Sequence, residues 1–397
     1  MREVVIVEGV RSAFGKRGGG LKDLAGTEIA GQVIRGLVDR TNILERGHVD
    51  DVFMGNVIED EKSLFSPRYA AQLGGLPFDV SATYVEMQCG SAITAINHAA
   101  WKILMGMSDI AIVGGCDCHS KWLAGGRYTM SNTPYRDISY APTAARLSPI
   151  DEQDTNMIQN SDLMGKKWEI SREACDEYAY NSQQRLANAF ANGWLGDEIV
   201  PVYNPVTGKY ITKDEHPRPD VTLEKLKAMK PVYEGGVTTA GNASGRNDGA
   251  AFVLMMTKEK ALELGFTPRL KWVTGADEGY YPNLMGVAAA YSNMKALRQA
   301  GLKMADVDVY ECNEAFAAQN LAVIKEMETV MGEKMNMDTW NPWGGAIAIG
   351  HPNAASGARI TTFAMKQLAL SGGKYACVSS CCGGGMGTTT IFENLER

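Results

Sequence analysis

The chain repeats itself once, at an offset of roughly 260 residues, and that repeat limits the folds open to it. Val52-Phe53-Met54-Gly55-Asn56 is answered by Val309-Tyr310-Glu311-Cys312-Asn313. Ile110-Ala111-Ile112-Val113-Gly114-Gly115-Cys116 is answered by Tyr375-Ala376-Cys377-Val378-Ser379-Ser380-Cys381. The second pair are short β-rich apolar runs ending in small residues, the pattern of buried strands. Ahead of each lies a helical spacing: Ile93, Ile96, Ala100, Ile103 and Leu104 within 91–105, then Ile360, Phe363, Ala364 and Leu368 within 356–370. Matched elements in one order predict two α/β units, each with a mainly parallel sheet, packed into a layered α/β core.

Between the repeats, residues 117–247 differ in texture. They hold most of the turn chemistry: Asn132-Thr133-Pro134, Tyr203-Asn204-Pro205 and His216-Pro217-Arg218-Pro219. One amphipathic helix is predicted from Ser171 through Tyr178, Gln184 and Leu186, with Ser171 as N-cap. The expected organisation is a first half over 1–116, an insertion laid over the core at 117–247, and a second half over 248–397.

Bulk properties exclude several functions. A net charge of −7 and a pI near 5.4 argue against a nucleic-acid binder. No apolar run approaches the roughly 18 residues of a membrane span. The start, Met1-Arg2-Glu3-Val4-Val5-Ile6-Val7, is too short and too charged for a secretory signal, so a cytoplasmic protein is expected. Eight cysteines in 397 residues are not a disulfide scaffold. In a reducing compartment each is first a small buried hydrophobe and second a candidate nucleophile.

Ligands of open α/β sheets collect at the carboxyl ends of strands, beside helix N-termini. Cys89 stands there in the first half, between Ala82-Thr83-Tyr84-Val85-Glu86 and the Ser91 helix, where the helix dipole and free N–H groups stabilise a thiolate. His351 precedes the matching helix, pinned by Gly350 and Pro352, and Cys–His pairing is one route to a nucleophilic thiolate. Cys381 ends the last core strand and opens Gly383-Gly384-Gly385, whose N–H groups suit an oxyanion hole. Asn313 completes the set at its own strand end. Cys116-Asp117-Cys118-His119 resembles a metal half-site but lacks a second cysteine pair, so no metal is expected. The basic residues from Lys209 to Lys230 are interleaved with acids and read as a solvated face.

These residues fall into six ordered motifs across nearly the whole chain. They are Arg11-Ser12-Ala13-Phe14-Gly15-Lys16, Cys89-Gly90-Ser91, the 239–249 segment with Asn242-Ala243-Ser244-Gly245 and Asn247-Asp248-Gly249, Asn313-Glu314-Ala315-Phe316, Gly350-His351-Pro352, and Cys381 with its glycines. In these the chain resembles the thiolases, the group of acetyl-CoA acetyltransferases and 3-ketoacyl-CoA thiolases. The resemblance implies a duplicated five-layer α-β-α-β-α core with an inserted loop domain covering the coenzyme A (CoA) site. It implies Cys89 as the acyl-carrying nucleophile, His351 as the base that activates Cys89 and later the CoA thiol, and Cys381 as the acid–base at the acetyl-CoA α-carbon. Asn313 (through a water) and His351 would form one oxyanion hole, and the N–H groups of Cys89 and Gly383 the other. Ser244, Arg218, Met157 and Phe316 sit where the family contacts CoA or lines the acyl pocket. CoA would be a substrate, with no further cofactor, and the assembly a homodimer or homotetramer.

Claisen chemistry fits two cysteines at different strand ends with one histidine between them. Acyl transfer needs a thiol and a base, whereas a carbanion next to a thioester needs an acid–base group and donors aimed at an enolate oxygen. Departures bear on substrate. Ala92 and Ala354 stand where thiolases usually have glycine, Trp343 where asparagine is common, and Asn156 where many acetoacetyl-CoA thiolases have histidine. They imply an acyl pocket tuned away from acetoacetyl-CoA. The alternatives are a carrier-protein-dependent 3-oxoacyl synthase, which would carry a Cys-His-His or Cys-His-Asn set, and a non-catalytic CoA-binding subunit of the same fold.

Overall fold

The computed structural model describes residues 2–58, 62–121 and 146–397, with the backbone of the strands Gly126–Met130 and Ile138–Pro142. The Asn132-Thr133-Pro134 turn lies outside the described residues. The first half comprises β1 (Val4–Ser12), α1 (Gly26–Thr41), β2 (Asp51–Gly55), α2 (Ser66–Leu73), β3 (Ser81–Val85), α3 (Ser91–Leu104) and β4 (Ile110–Cys118). The insertion contributes α4 (Met157–Lys167) and α5 (Arg172–Ala191). There follow β5 (Asn247–Thr257), β6 (Leu270–Gly279), α6 (Ala288–Ala300), β7 (Val309–Cys312), α7 (Ala317–Met331), α8 (Ser356–Ser371), β8 (Tyr375–Cys382) and β9 (Met386–Asn394).

Strand pairing shows the duplication. β2 pairs β4 in parallel, β4 pairs β5 antiparallel, and β5 pairs β1 antiparallel. The same senses recur in β7–β8, β8–β9 and β9–β6. Two expectations change. The two halves' sheets, joined edge to edge where β1 pairs β6 antiparallel, are mixed, not mainly parallel, because β8 turns into β9 over a few residues. A link that short permits only a hairpin, whereas a parallel crossover needs a dozen or more residues. And β5, assigned from the sequence to the second half, lies between β1 and β4 in the first half's sheet. All of its residues are buried, the continuous apolar pattern of a strand covered on both faces.

Five layers follow from what each helix covers. α1 and α2 pack Ile29, Val33, Leu37 and Ala70 on the first half's strands. α6 and α7 pack Met294, Leu297, Val323 and Met327 on the second's. α3 and α8 pack against each other in the middle, where Ile93, Ile96, Ile360 and Leu368 share one cluster with Val113 and Val253 on one side and Val378 and Phe392 on the other. A helix apolar on most of its circumference is the signature of such a central layer. Truncating Ile96 to alanine there would cost about 2–5 kcal/mol.

The insertion lies on the second half. Ser171 caps α5, its Oγ accepting from Ala174 N at 3.2 Å, as expected. Leu186 and Ala189 of α5 pack with Trp343, Ala358 and Phe363. Trp343 also stacks on Trp194, with ring centroids 5.6 Å apart, so this departure fills the seam between insertion and α8. An ion-pair cluster fastens the same insertion to β1. Fully buried Arg11 donates to Glu198 Oε1 at 2.8 and 3.0 Å and to Asp214 at 2.6 and 2.9 Å. Lys366 of α8 donates to the other Glu198 oxygen at 2.9 Å.

Burial pushes the Glu198 carboxyl up, but Arg11 and Lys366 outweigh it and hold the group at about 2, below its ordinary 4.5. A depressed carboxyl stabilises the fold above its unfolded value and loses that contribution as pH falls through the folded one. Glu198→Gln is therefore expected to destabilise the protein by roughly 3 kcal/mol at neutral pH. In urea unfolding at stepped pH, the gap to wild type should shrink below pH 4.5 and close near pH 2.

Candidate active site

Cys89 lies in a single 3₁₀ turn, Gln88–Gly90, that runs into α3. Gln88 holds φ at +49°, a left-handed conformation that costs a non-glycine residue energy. Two local contacts support it. Glu86 Oε1 accepts from Gln88 N at 2.7 Å and from its side-chain amide at 2.8 Å. Ser91 Oγ accepts from Met87 N at 2.9 Å and donates to Gln88 O at 2.7 Å. The sharp turn presents Cys89 half-buried at the carboxyl end of β3.

His351 is buried and held from three sides. Its N–H donates to Asn247 Oδ1 at 3.0 Å, and Gly350 before it takes φ +105° directly against the Asn247 side chain, where a Cβ would collide. Its Nδ1 lies 2.6 Å from Ser356 Oγ. Ser356 Oγ is also 3.1 Å from Pro352 O, which can only accept. With the serine proton on that carbonyl, Nδ1 carries the ring proton and donates to Oγ, the tautomer whose Nε2 can act as a base. Nε2 faces Asn313 Nδ2 at 3.4 Å. Asn313 Oδ1 is a buried acceptor with no partner among the described residues, and so suits a water or ligand donor.

Asn313 is fixed from behind. Asn320 Nδ2 donates to its carbonyl at 3.2 Å. The adjacent Glu314, also buried, accepts from Ser182 Oγ, Tyr178 OH, Asn341 Nδ2 and Ile347 N at 2.7–3.2 Å. Burial raises its pKa. That carboxylate ties α5 of the insertion, the end of β7 and the short helix before His351 into one block.

Cys381 is fully buried at the end of β8, and burial, then the proximity of Cys89, pushes its thiol up. The Cys89 turn packs on this strand end and on the 3₁₀ turn Asn353–Ala355 that follows His351. A Cβ on Gly383 would meet Met157 Cε at 3.1 Å, Leu147 Cδ2 at 3.2 Å and Gln88 Cγ at 3.3 Å. The structure thus brings Cys89, His351, Asn313, Cys381 and Gly383 together. Met157 joins them from the start of α4, and Phe316 is buried beside Asn313, bridged to Ala243.

The remaining sequence candidates lie further out. Asn156 is exposed; its Oδ1 caps α4 by accepting from Ile158 N and Gln159 N, and its Nδ2 donates to Tyr233 OH at 2.8 Å. Ser244 N donates to Ala315 O at 2.9 Å. Arg218 is exposed near His216, which fills the space over Gly245, so the Arg218 and Ser244 loops adjoin.

Electrostatics alter one expectation. Burial, then Asp117, raises the Cys89 thiol to about 12, and its own N–H lowers it only in part. Burial lowers His351 to about 3. The resting pair is thiol and neutral imidazole, so the helix terminus does not by itself produce a thiolate. Desolvation of a nearly closed site outweighs a half-charge dipole. Cys116 and Cys118 point into the first half's core, with Asp117 on the opposite strand face. Sequence patterning leaves Asp117, Asn247, Glu314 and Ser356 without roles. Asn247 and Glu314 stood inside quoted motifs, and Ser356 at a predicted helix start five residues after His351, but nothing local gave them these contacts.

Comparison with known proteins agrees with this geometry. Residues 4–259 match the family model described as "Thiolase, N-terminal domain" and residues 266–394 that described as "Thiolase, C-terminal domain". Beta-ketothiolase BktB of Cupriavidus necator is 37% identical, covering 99% of this chain and 100% of the relative. Beta-ketoadipyl-CoA thiolase of Escherichia coli is 37% identical with full coverage of both, and 3-ketoacyl-CoA thiolase of Bacillus subtilis is 34% identical over 99% of this chain and 100% of the relative. Among solved structures, the Bacillus anthracis acetyl-CoA acetyltransferase superposes with a TM-score of 0.89 at 33% identity, covering 100% and 99% of the two chains. Human mitochondrial 3-ketoacyl-CoA thiolase gives 0.88 at 33%, covering 99% of each. None of these matches favours a carrier-protein-dependent synthase or a non-catalytic subunit. The chain belongs to the thiolase family and is an acyltransferase.

Proposed function

We propose that this thiolase cleaves and forms 3-oxoacyl-CoA thioesters through an acyl group carried on Cys89. The observation that carries the reading is the setting of His351: Nδ1 lies against Ser356 Oγ, so that a proton held there leaves Nε2, which faces Asn313, to act as the base. In thiolysis, Nε2 takes the Cys89 proton as sulfur attacks the 3-oxo carbon. The C2–C3 bond breaks, its electron pair passes to the acetyl-CoA enolate, and Cys381 supplies the proton that makes acetyl-CoA. The proton on His351 passes to the Cys381 thiolate; CoA then gives its thiol proton to the neutral imidazole and attacks the acyl carbon, and His351 returns the proton to the leaving Cys89 sulfur as acyl-CoA forms. Cys89 and Gly383 N–H groups serve the oxyanion on the acyl carbon. His351, once protonated, and Asn313 through a water serve the enolate oxygen. Because thiol and imidazole are both neutral at rest, proton transfer belongs to the attack itself. CoA enters as substrate, with Arg218 and Ser244 as its contacts on adjoining loops. No resident cofactor takes part. A cytoplasmic setting belongs to the same reading, since a catalytic thiol among buried cysteines must stay reduced.

The acyl group is proposed to be longer than acetoacetyl. Asn156, which stands where many acetoacetyl-CoA thiolases have histidine, is occupied here as a helix cap and by Tyr233. Relatives of similar identity are named for 3-ketoacyl-CoA and beta-ketoadipyl-CoA.

A homodimer is proposed through β3. This edge strand pairs only β2 among the described residues. Around it Phe65, Tyr69, Tyr84 and Trp101 are exposed, with Phe78 83% and Met105 76% exposed. An uncovered strand edge set in apolar surface invites pairing with a like edge, and a second copy supplies one.

Cys89→Ser is expected to lower thiolysis at least 10³-fold, read by loss of the 3-oxoacyl-CoA enolate absorbance; surviving turnover would refute the nucleophile. Across a chain-length series, kcat/KM should peak beyond acetoacetyl-CoA. A maximum at acetoacetyl-CoA would refute the pocket. Light scattering should show a dimer that Phe78→Asp with Met105→Asp converts to monomer; an unchanged mass would place the interface elsewhere.

A further inference from the structure

The duplication gives every active-site position a counterpart in the other half. Cys116 answers Cys381, so Asp117 answers Cys382, and Asn56 answers Asn313. Cys89 stands two residues before α3, and Ala354 stands two residues before α8. The two sets of strand ends therefore form two clusters related by the repeat. One holds Cys89 and the other holds Ala354 in its place.

The counterpart cluster is filled from within. Asp117, fully buried, accepts from Ala354 N on Oδ2 at 2.6 Å. Its Oδ1 accepts from Val57 N and Ile58 N, each at 2.8 Å, and from Asn56 Nδ2 at 3.2 Å. The N–H answering that of Cys89 is thus permanently occupied by a carboxylate of the protein itself. The surrounding backbone is shaped to admit the turn. A Cβ on Gly115 would lie 2.2 Å from Ala354 O, and one on Gly55 would lie 3.2 Å from Ala354 Cβ. Asn56 is itself held, its Oδ1 accepting from Ser66 Oγ at 3.0 Å.

We infer that Asp117 is a positioning residue for His351: as an internal anion, it clamps the His351–Ser356 turn of the second half to the ends of β2 and β4 in the first. The inference rests on the proposed role of His351. The Asp117 oxygens are turned to these donors and not to the reacting atoms, although the charge reaches Cys89 and helps hold its thiol protonated. Asp117 acts through Ala354, three residues from the imidazole and two from the serine that sets its tautomer. Burial pushes its carboxyl up to about 6, against the pull of these donors, so the group is the anion at neutral pH. The carboxylate's two oxygens serve donors from both halves at once, which an amide cannot do. With its oxygen towards Val57 and Ile58, an asparagine would point its own N–H at the Ala354 N–H.

Asp117→Asn is isosteric and is the direct test. With active sites counted by burst titration and folding checked by thermal melting, kcat should fall at least tenfold while KM stays within threefold. Asp117→Ser, which leaves room for a water on the same donors, should show the same split. A kcat within twofold of wild type, or a loss accounted for by fewer titratable sites, would overturn the inference. So would failure of both variants to fold, which would assign Asp117 to stability alone. His351→Ala, run in parallel, separates the two readings. If it keeps wild-type turnover, the assignment of the base fails; if it is inactive while Asp117→Asn is normal, only the clamp fails.

Discussion

The contact between α3 and α8 in the middle layer determines most of what this protein can do. Gly357, in the first turn of α8, lies so close to α3 that a Cβ would come within 2.7 Å of both the Ile93 nitrogen and its Cγ1. Each helix starts where its half's strands end, and each carries its chemistry just before that start. Cys89 precedes one and His351 the other. Pressing the two N-terminal turns together is what makes a bipartite site out of two α/β units, neither of which holds both the proposed nucleophile and the proposed base. The chemistry therefore depends on packing to within an ångström at a place that touches no substrate.

Burial at that contact also sets the electrostatics. A site sealed by two sheets and an insertion raises the thiol and lowers the imidazole, the opposite of a preformed ion pair. Two of the charged groups in the interior are multiply bonded. Arg11 has Glu198 and Asp214, and Asp117 has donors from three backbone N–H groups and one amide. Such groups stabilise little in net terms, since desolvation offsets their attraction, but leaving either partner alone is costly. In this fold they sit at the seams: insertion to first half, and first half to the turn after His351. They hold segments in register where apolar contacts alone would allow sliding.

Much of this was legible in the sequence because duplicated strands and helices leave periodic traces. The 91–105 and 356–370 spacings became α3 and α8, and the strand-end rule picked out Cys89 and Cys381 from eight cysteines, His351 from five histidines, and Asn313 beside them. Long-range pairing was not legible. Nothing local in Asn247–Thr257 says that it returns to lie beside β4, so the boundary drawn at a loop motif fell one strand early. The mixed character of the sheets was hidden for a related reason: parallel and antiparallel buried strands share the same apolar run. Asp117 was masked by neighbouring cysteines that suggested a metal, although alternation along the strand sends them to the opposite face. Trp343 looked like a change at the site and proves to be packing against Trp194 and Phe363.

Reaction and acyl specificity read differently from sequence because different parts of the fold carry them. The reacting groups sit on strand ends and helix starts, whose positions the core determines and whose spacing recurs. The groups around Gly383 come from a strained residue, Gln88, from Leu147 and from the first residue of α4, Met157, which belongs to the insertion. Their meeting depends on how the insertion seats on the second half through the Glu314 block and the α5 seam. A substitution in that seam can therefore reshape the surroundings of Gly383, the proposed acyl pocket, while leaving His351 and Cys89 in place. The same chemistry can then act on different acyl groups as the seam varies, with the α3–α8 contact unchanged.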